Sequence, residues 1–405
     1  MRRKLLVCYV PGLDLRRVSE STTPAIARLL RTFPPLVIRT IPDTELVPTM
    51  LSGVYPDQNM IWQVSLDVAR QRTLIQRLLD LLPGLVSTTA QCVRQKFNPE
   101  FDLATIPPRR RRNFVQHRFK YTRRAADPEL LKAFNGHETI FGALGGYSRY
   151  RFTSDFAALE RIAQEALSSS LRFELIEMYA LDLYQHWHLD NDEGMGEALA
   201  RTDRFVERLI EGCSDSGQTL VLLSDHGQEP VVGTIPLLNQ LRTSGVPQSD
   251  YSYYCELACC RLWFHTESAR ETILKMLKTL PKCRPLHYRD MHEYEIRFDD
   301  DRFGEYYVMA DAGYIFFPHD FYHPIANLYL GLFGNSQRSR IENPVHRGNH
   351  GYLPDNPSEK GFLVLADPTV KSDCDSMALI DFAPTMLSYL GADVPLHMTG
   401  RCVVS

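Results

Sequence analysis

An apolar run that ends in a carboxylate and an imidazole is the feature that most constrains this chain. Residues 219–223, Thr-Leu-Val-Leu-Leu, have the length and character of a fully buried parallel strand. Asp225 and His226 follow it, between Ser224 and Gly227. Open α/β sheets bind their ligands at the carboxyl ends of the strands. The junction therefore predicts a functional site at one edge of such a sheet.

Two other parts of the chain repeat this arrangement. The apolar residues 175–181 lead into Asp182, and His186 follows four residues later. His350 lies ahead of another apolar run, residues 361–366. Aspartate and neutral histidine are suitable ligands for Zn²⁺, and sites richer in carboxylates also accept Mn²⁺ or Fe. Three such groups at strand ends predict one metal centre assembled from distant parts of the chain.

Length and composition place few further limits on function. The 405 residues are enough for one large α/β core with a smaller insert. A net charge of −4 argues against general attraction to nucleic acid or to an anionic membrane. The apolar residues 5–10 follow a basic start, but Pro11 ends the run and no small-residue cleavage pattern follows. We therefore expect a first core strand here rather than a signal peptide, and a cytoplasmic protein.

The order of predicted elements favours an α/β fold: a doubly wound, mostly parallel sheet with a small α+β cap. The core would comprise residues 1–239 and 331–405, and the cap residues 240–330. Apolar periodicity predicts helices over residues 23–32, 193–212, 267–280 and 378–390, and another helix–strand unit over residues 73–95.

Residues 107–124 form a basic stretch. Four consecutive arginines, residues 109–112, are followed by more basic residues with Phe114, Phe119 and Tyr121 between them. Two interpretations are open, a solvated loop and an arm that grips a polyanionic substrate. Nucleic-acid binding through this stretch ranks behind enzymatic function, and nucleic acid is an unlikely partner.

The landmarks also come in a recognisable order. They are residues 23–29 (Thr-Pro-Ala-Ile-Ala-Arg-Leu), 49–56 (Thr-Met-Leu-Ser-Gly-Val-Tyr-Pro), 182–186, 224–227, 349–352 and 381–391. With them the chain resembles the alkaline phosphatase superfamily, in its type I phosphodiesterase/nucleotide pyrophosphatase branch, over nearly its whole length.

The resemblance implies a ligand set and a chemistry. Asp182, His186 and His350 would hold one divalent metal ion, and Asp225 and His226 a second, with Zn²⁺ as the first candidate. Two such ions a few ångströms apart bind a phosphoryl group and stabilise the attacking and leaving oxygens. The implied function is hydrolysis of small phosphorylated, nucleotide-like substrates. The alternative is a non-hydrolytic or biosynthetic metalloprotein on the same scaffold.

The sequence departs from the family pattern at two places. The family ends its first strand with Asp-Gly, whose aspartate binds the second metal, but this chain has Pro11 and Gly12. Asp14 lies close enough in sequence to replace that ligand. The family also has a Thr or Ser nucleophile ten residues before the glycine that corresponds to Gly53, and this chain has Asp43 there.

Three possibilities follow from the second departure. Thr44, next to Asp43, is the nucleophile after a one-residue slip. Alternatively, Asp43 replaces the missing ligand of the second metal, and hydroxide attacks directly. The third possibility is a site that has lost phosphoryl chemistry. Asp43 is also a good helix-capping residue, which would explain it without any catalytic role.

Overall fold

The computed structural model describes residues 3–62, 65–67, 114–116, 131–316, 346–372 and 374–405. The predicted unit at residues 73–95 and most of the basic stretch at residues 107–124 lie outside these ranges. The strands are β1 (Leu5–Tyr9), β2 (Leu36–Arg39), β3 (Ile61–Trp62), β4 (Ser65–Asp67), β5 (Phe114–Gln116), β6 (Ala133–Phe134), β7 (His137–Glu138), β8 (Ser148–Thr153), β9 (Phe173–Met178), β10 (Thr219–Ser224), β11 (Glu229–Pro230), β12 (Gly233–Ile235), β13 (Tyr251–Cys255), β14 (Cys259–Phe264), β15 (Cys283–His287), β16 (Tyr306–Ala310), β17 (Tyr314–Phe316), β18 (Gly348–Asn349), β19 (Lys360–Leu365) and β20 (Ser376–Ala378).

Four of the helices agree with the predicted ones to within four residues. The helices are α1 (Pro24–Thr32), α2 (Leu46–Ser52), α3 (Pro56–Asn59), α4 (Ile140–Leu144), α5 (Leu159–Leu167), α6 (Ala180–His188), α7 (Asp192–Ser216), α8 (Leu237–Thr243), α9 (Glu267–Thr279) and α10 (Phe382–Leu390). The largest differences are four residues: α7 continues to Ser216, and a 3-10 turn at Leu379–Asp381 precedes α10. No helix in the described ranges is long and apolar enough to span a bilayer.

Chain contacts divide the protein into two compact units. The first contains residues 1–61, 118–230 and 347–405, and the second residues 62–117 and 231–346. The core and cap boundaries expected from the sequence, at residues 239, 240, 330 and 331, stay a prediction.

The first unit contains a mixed seven-stranded sheet. Its strand order is β20-β2-β19-β10-β1-β9-β8. Pairing is parallel except at β19, which is antiparallel to both β10 and β2. The predicted α/β fold with a mostly parallel sheet is therefore confirmed.

Burial on both faces explains why β1 is apolar along its whole length, while the neighbouring β9 is buried but also contains Glu174 and Glu177. Every residue of β1 and of β9 is buried. Alternate β1 side chains such as Leu6 and Cys8 form a core cluster with residues of α1, α5 and α7, while Leu5 and Val7 point the other way and are equally buried. Because no residue of β1 faces solvent, polar chemistry is confined to the strand ends.

The second unit contains a smaller α+β layer. Strands β13, β14, β16 and β15 form an antiparallel sheet in that order. Helix α9 connects β14 to β15, and its buried Ala269, Ile273 and Leu277 have the spacing of one helix face. The α+β class of the predicted cap rests on this strand–helix–strand order.

Candidate metal centre

The direction of β19 brings distant residues to one sheet edge. Strands β1 and β10 are parallel and end together, with Tyr9 opposite Leu223. Strand β19 is antiparallel to β10, with Phe362 opposite Ser224. The residues before β19 therefore lie at the edge where β1 and β10 end. His350 precedes β19, so it can meet the residues that follow β10.

Helix α6 presents two of the predicted ligands. The sequence placed Asp182 at the end of an apolar strand, but β9 ends at Met178, and Asp182 lies in the first turn of α6. Residues four apart share a helix face, and His186 Nε2 is 3.4 Å from Asp182 Oδ2. The predicted Asp-x-x-x-His pair therefore lies on one face of α6, which begins just after β9.

Three side chains form a compact group of possible ligands. One ligand atom from each of Asp182, His226 and His350 lies within 4.8 Å of the other two. His350 Nε2 is 3.8 Å from Asp182 Oδ1. The rings of His226 and His350 are stacked, with centroids 3.8 Å apart, and His186 lies 5.1 Å from His350 between ring centroids. The five predicted metal ligands are therefore neighbours, with His226 grouped beside Asp182 and in contact with Asp225 at 3.4 Å.

Backbone carbonyls orient two of these imidazoles. His186 Nδ1 is 3.0 Å from the carbonyl oxygen of Gly348, and His226 Nδ1 is 2.9 Å from that of Gly227. When Nδ1–H donates to a carbonyl, Nε2 is left as the lone-pair atom that a metal ion requires. His186 thus directs Nε2 towards Asp182, and His226 Nε2 lies 3.4 Å from Asp225 Oδ2 in the same group.

Asp182 itself is held by a residue that the sequence analysis did not single out. Gln228 Nε2 donates to Asp182 Oδ1 at 2.7 Å and to its carbonyl oxygen at 3.0 Å. Asp182 Oδ2 is buried, and apart from the long 3.4 Å contact with His186 Nε2 it has no hydrogen-bond donor among the described residues. A buried carboxylate oxygen without a donor is costly unless a cation satisfies it. The group therefore fits one divalent ion.

The charges in the group favour an ionised carboxylate. Burial by itself would raise the pKa of Asp182, but His186 and His350 together hold that pKa well below its usual range. Burial likewise would lower the pKa of His226, but Asp225 and Asp182 raise it. The ligand group is thus anionic at the aspartate and attracts positive charge.

Asp225, predicted to bind a second ion, has a different environment. Tyr9, another residue not singled out from the sequence, donates its hydroxyl proton to Asp225 Oδ2. The backbone N–H of His226 donates to Oδ1 at 3.0 Å, and His226 Nε2 is 3.4 Å from Oδ2. Burial raises the pKa of Asp225, against the opposing effects of His226 and Tyr9.

Asp14 is engaged elsewhere. The Arg16 guanidinium donates to Asp14 Oδ2 at 2.6 Å, and Arg16 Nε lies 3.1 Å from Oδ1. The backbone N–H of Arg16 also donates to Oδ1, at 2.8 Å. Asp14 therefore caps a short 3-10 turn and pairs with Arg16. These bonds occupy the carboxylate that was expected to replace the ligand missing at Pro11.

Asp43 and Thr44 lie ahead of a helix, and the backbone of Asp43 is bonded to Gly351, the residue after His350. Asp43 is buried, has a left-handed φ of 46°, and donates its N–H to the carbonyl oxygen of Gly351 at 3.1 Å. Helix α2 begins at Leu46, and its N-terminal capping residue is Glu45. Helix capping therefore does not explain Asp43. Thr44 Oγ1 is buried and has no hydrogen-bond partner among the described residues.

One buried glutamate at this edge was not predicted from the sequence. Glu359 lies one residue before β19, is 2% exposed, and accepts a hydrogen bond from the Gly351 N–H at 3.1 Å. Burial raises the pKa of Glu359 to about 7, against the opposing effect of His226. A carboxylate directly before a buried strand was the available signal, but only the antiparallel direction of β19 brings it to this edge.

Comparison with known proteins identifies a related family and related folds. The family model for type I phosphodiesterase / nucleotide pyrophosphatase matches residues 47–353. Curated protein sequences give no match. One similar solved structure is murine ectonucleotide pyrophosphatase / phosphodiesterase 5, an inactive variant in complex with AMP, with a TM-score of 0.64, 13% identity and 100% of each chain covered. The human protein of that name has a TM-score of 0.63 and 13% identity, over 98% of this chain and 97% of its own. At this identity the structures support the fold alone.

Proposed function

We propose, since this chain belongs to the type I phosphodiesterase / nucleotide pyrophosphatase family of the alkaline phosphatase superfamily, that it is a metal-dependent hydrolase of phosphoric esters or anhydrides. The observation that supports this best is the group of Asp182, His226 and His350, with ligand atoms within 4.8 Å of one another. Its position at the carboxyl edge of an α/β sheet is where such folds bind ligands.

The proposed metal ligands are Asp182, His226 and His350, with His186 beside them. An ion held by these residues would supply positive charge to polarise a phosphoryl oxygen. A ligand set of imidazoles and one carboxylate makes Zn²⁺ the first candidate, with Mn²⁺ or Fe as alternatives. Gln228 keeps the Asp182 carboxylate oriented through its bond to Oδ1.

The attacking group is water rather than Thr44 in this proposal. A nucleophilic hydroxyl needs a neighbouring base or metal ion to activate it, and Thr44 Oγ1 has no hydrogen-bond partner among the described residues. Asp43 is the candidate for the group that accepts a proton from water, because it is a carboxylate held next to His350 by the Gly351 carbonyl. Its left-handed backbone fits this view, since unusual conformations persist where surrounding structure enforces them, often at active sites.

The proposed substrate is a small, nucleotide-like phosphoric ester or anhydride. Family membership supports this class, and the murine relative was crystallised with AMP. The partner would therefore be a small molecule rather than nucleic acid. A cytoplasmic location also remains part of the proposal, from the sequence only.

The decisive assay is release of p-nitrophenol from a phosphodiester and a phosphomonoester analogue. We expect a chelator to abolish release and added Zn²⁺ to restore it. His350→Ala should lower kcat/KM by about 100-fold or more, because it removes a proposed ligand. His188→Ala is the matched control, since His188 is an exposed histidine on the same helix as His186 and should retain activity.

The competing function is a non-hydrolytic or biosynthetic metalloprotein on this scaffold. Pro11 favours it, because a lost ligand weakens two-metal chemistry. Metal binding without turnover of either analogue, or of a nucleotide anhydride, would support that alternative. Activity that survives His350→Ala would contradict the metal-dependent hydrolase.

A further inference from the structure

The number of metal ions can be inferred from the surroundings of Asp225. A second ion of the kind that the family resemblance implies would depend on this carboxylate, which is 4% exposed. The Tyr9 hydroxyl already donates to Oδ2, and the His226 N–H to Oδ1. An ion at Oδ2 would have to compete with the phenol proton. Asp225 is therefore held as a hydrogen-bond acceptor.

The other side chains that could complete a second site do not fit either. Pro11 offers no ligand atom, and both carboxylate oxygens of Asp14 are held by Arg16, at 2.6 Å and 3.1 Å. Within the described ranges, neither Asp43 nor the buried Glu359 belongs to a group of three close ligand atoms. A second ion would thus keep two protein ligands, Asp225 and His226, where catalytic zinc sites have three.

His226 in turn is placed to serve the first ion. Its Nδ1 is 2.9 Å from the Gly227 carbonyl oxygen, which leaves Nε2 for a metal. That ring stacks on His350 with centroids 3.8 Å apart, and its ligand atom lies within 4.8 Å of those of Asp182 and His350. The three residues alone supply the usual protein ligands of one catalytic ion.

We propose that this protein binds one divalent metal ion, through Asp182, His226 and His350, and that the hydrogen-bonded pair of Tyr9 and Asp225 takes the place of the second. This inference rests on the proposed metal-dependent function. The Tyr9 hydroxyl proton provides part of the positive charge that a second cation would bring to Asp225. His226 thereby moves from the second ion's ligand set to the first.

Metal counting tests this directly. The full chain is stripped with a chelator, titrated with Zn²⁺ in a calorimeter, and desalted for elemental analysis. We expect one equivalent in the wild type and one in Asp225→Asn, with affinity in that variant within about 10-fold of the wild type, because Asp225 is not a ligand. His226→Ala should still bind one equivalent of Zn²⁺, but at least about 10-fold more weakly than the wild type. His188→Ala should match the wild type.

A two-ion site would give a different pattern. The wild type would bind two equivalents, and Asp225→Asn and His226→Ala would each lose one and keep the other at full affinity. Either that pattern or a wild type without bound Zn²⁺ overturns the inference. Circular dichroism of the metal-free variants checks their folding, and Asp225→Glu replaces Asp225→Asn if the amide fails to fold. The metal count does not require turnover, so the two proposals can fail separately. One bound ion in an inactive protein would refute only the proposed hydrolysis. Two bound ions in an active protein would refute only this inference.

Discussion

At the scale of single residues, the Glu359 carboxyl group makes stability depend on pH. Burial raises its pKa from the ordinary glutamate value of about 4.5 to about 7. Between these two values the folded state keeps a proton that the unfolded state has lost, so the free energy of unfolding falls as pH rises. The shift corresponds to a loss of at most about 3 kcal/mol between pH 4 and pH 8.

Glu359→Gln tests this in the metal-free protein. Glutamine keeps an oxygen that can accept the Gly351 N–H, but it cannot ionise. We expect the variant to gain stability relative to the wild type as pH rises from 5 to 8, measured by urea unfolding. His226 and Asp225 also act on Glu359, so Asp225→Asn should reduce the pH dependence without removing it. A constant difference between wild type and Glu359→Gln across this range would show that Glu359 does not titrate there.

The residues before α2 allow a second test at this scale. If water attacks directly, Thr44→Ala should lower kcat less than about 10-fold, and Asp43→Asn should lower it about 100- to 1,000-fold, as expected for loss of a general base. Asparagine tolerates the left-handed backbone of Asp43, so the change removes charge rather than conformation. Kinetics with the p-nitrophenyl diester give both values. A large loss in Thr44→Ala, with phosphothreonine recovered from quenched wild-type enzyme, would instead identify Thr44 as the nucleophile.

At the scale of elements, the centre depends on how closely β19 approaches β10. A Cβ atom added at Gly361 would overlap the carbonyl oxygens of Ser224 and Asp225. These are backbone atoms that cannot turn aside, so Gly361→Ala must push the strands apart just where Asp225 begins the site. We expect a loss of about 1–3 kcal/mol in the free energy of unfolding and weaker Zn²⁺ binding.

A second glycine provides the control for that change. Gly196 lies within α7, and an added Cβ there meets no atom within 4 Å. Gly196→Ala should therefore stabilise the protein by about 0.5–1 kcal/mol and leave Zn²⁺ affinity unchanged. Urea unfolding and calorimetry measure both quantities. If Gly361→Ala unfolds like the wild type, the close approach of the two strands is not needed for the centre.

Element boundaries also show what local sequence could predict. Asp182 and Asp225 could be singled out as candidate ligands because each follows an apolar run of strand length, with His186 and His226 close behind them, and His350 because it precedes another such run. The bond between Tyr9 and Asp225 was not, because it joins residues 216 positions apart through the register of β1 and β10. Glu359 likewise required the antiparallel direction of β19. Sequence periodicity indicates strands, but it does not give their order.

At the scale of the whole molecule, the proposed metal ligands come from three separate segments of the first compact unit. They follow β9, β10 and β18, and all lie within residues 118–230 and 347–405. None of the proposed ligands belongs to the second unit. A bound ion therefore cross-links distant parts of one unit and should act on that unit alone.

Hydrogen exchange followed by mass spectrometry can test this confinement. Zn²⁺ at about 100 times its dissociation constant adds roughly 2.7 kcal/mol to any opening that breaks the site, so exchange through such openings should slow about 100-fold. We expect slower exchange in α6, in residues 224–229 and in residues 348–352. Strands β14 and β16 of the second unit contain no proposed ligand, so openings confined to them leave the site intact. Hydrogen exchange through such openings should stay unchanged when Zn²⁺ is added. In His350→Ala, added Zn²⁺ should not slow exchange in any of these segments. Equal slowing in both units of the wild type would contradict the expectation, because it would mean that the two units open together.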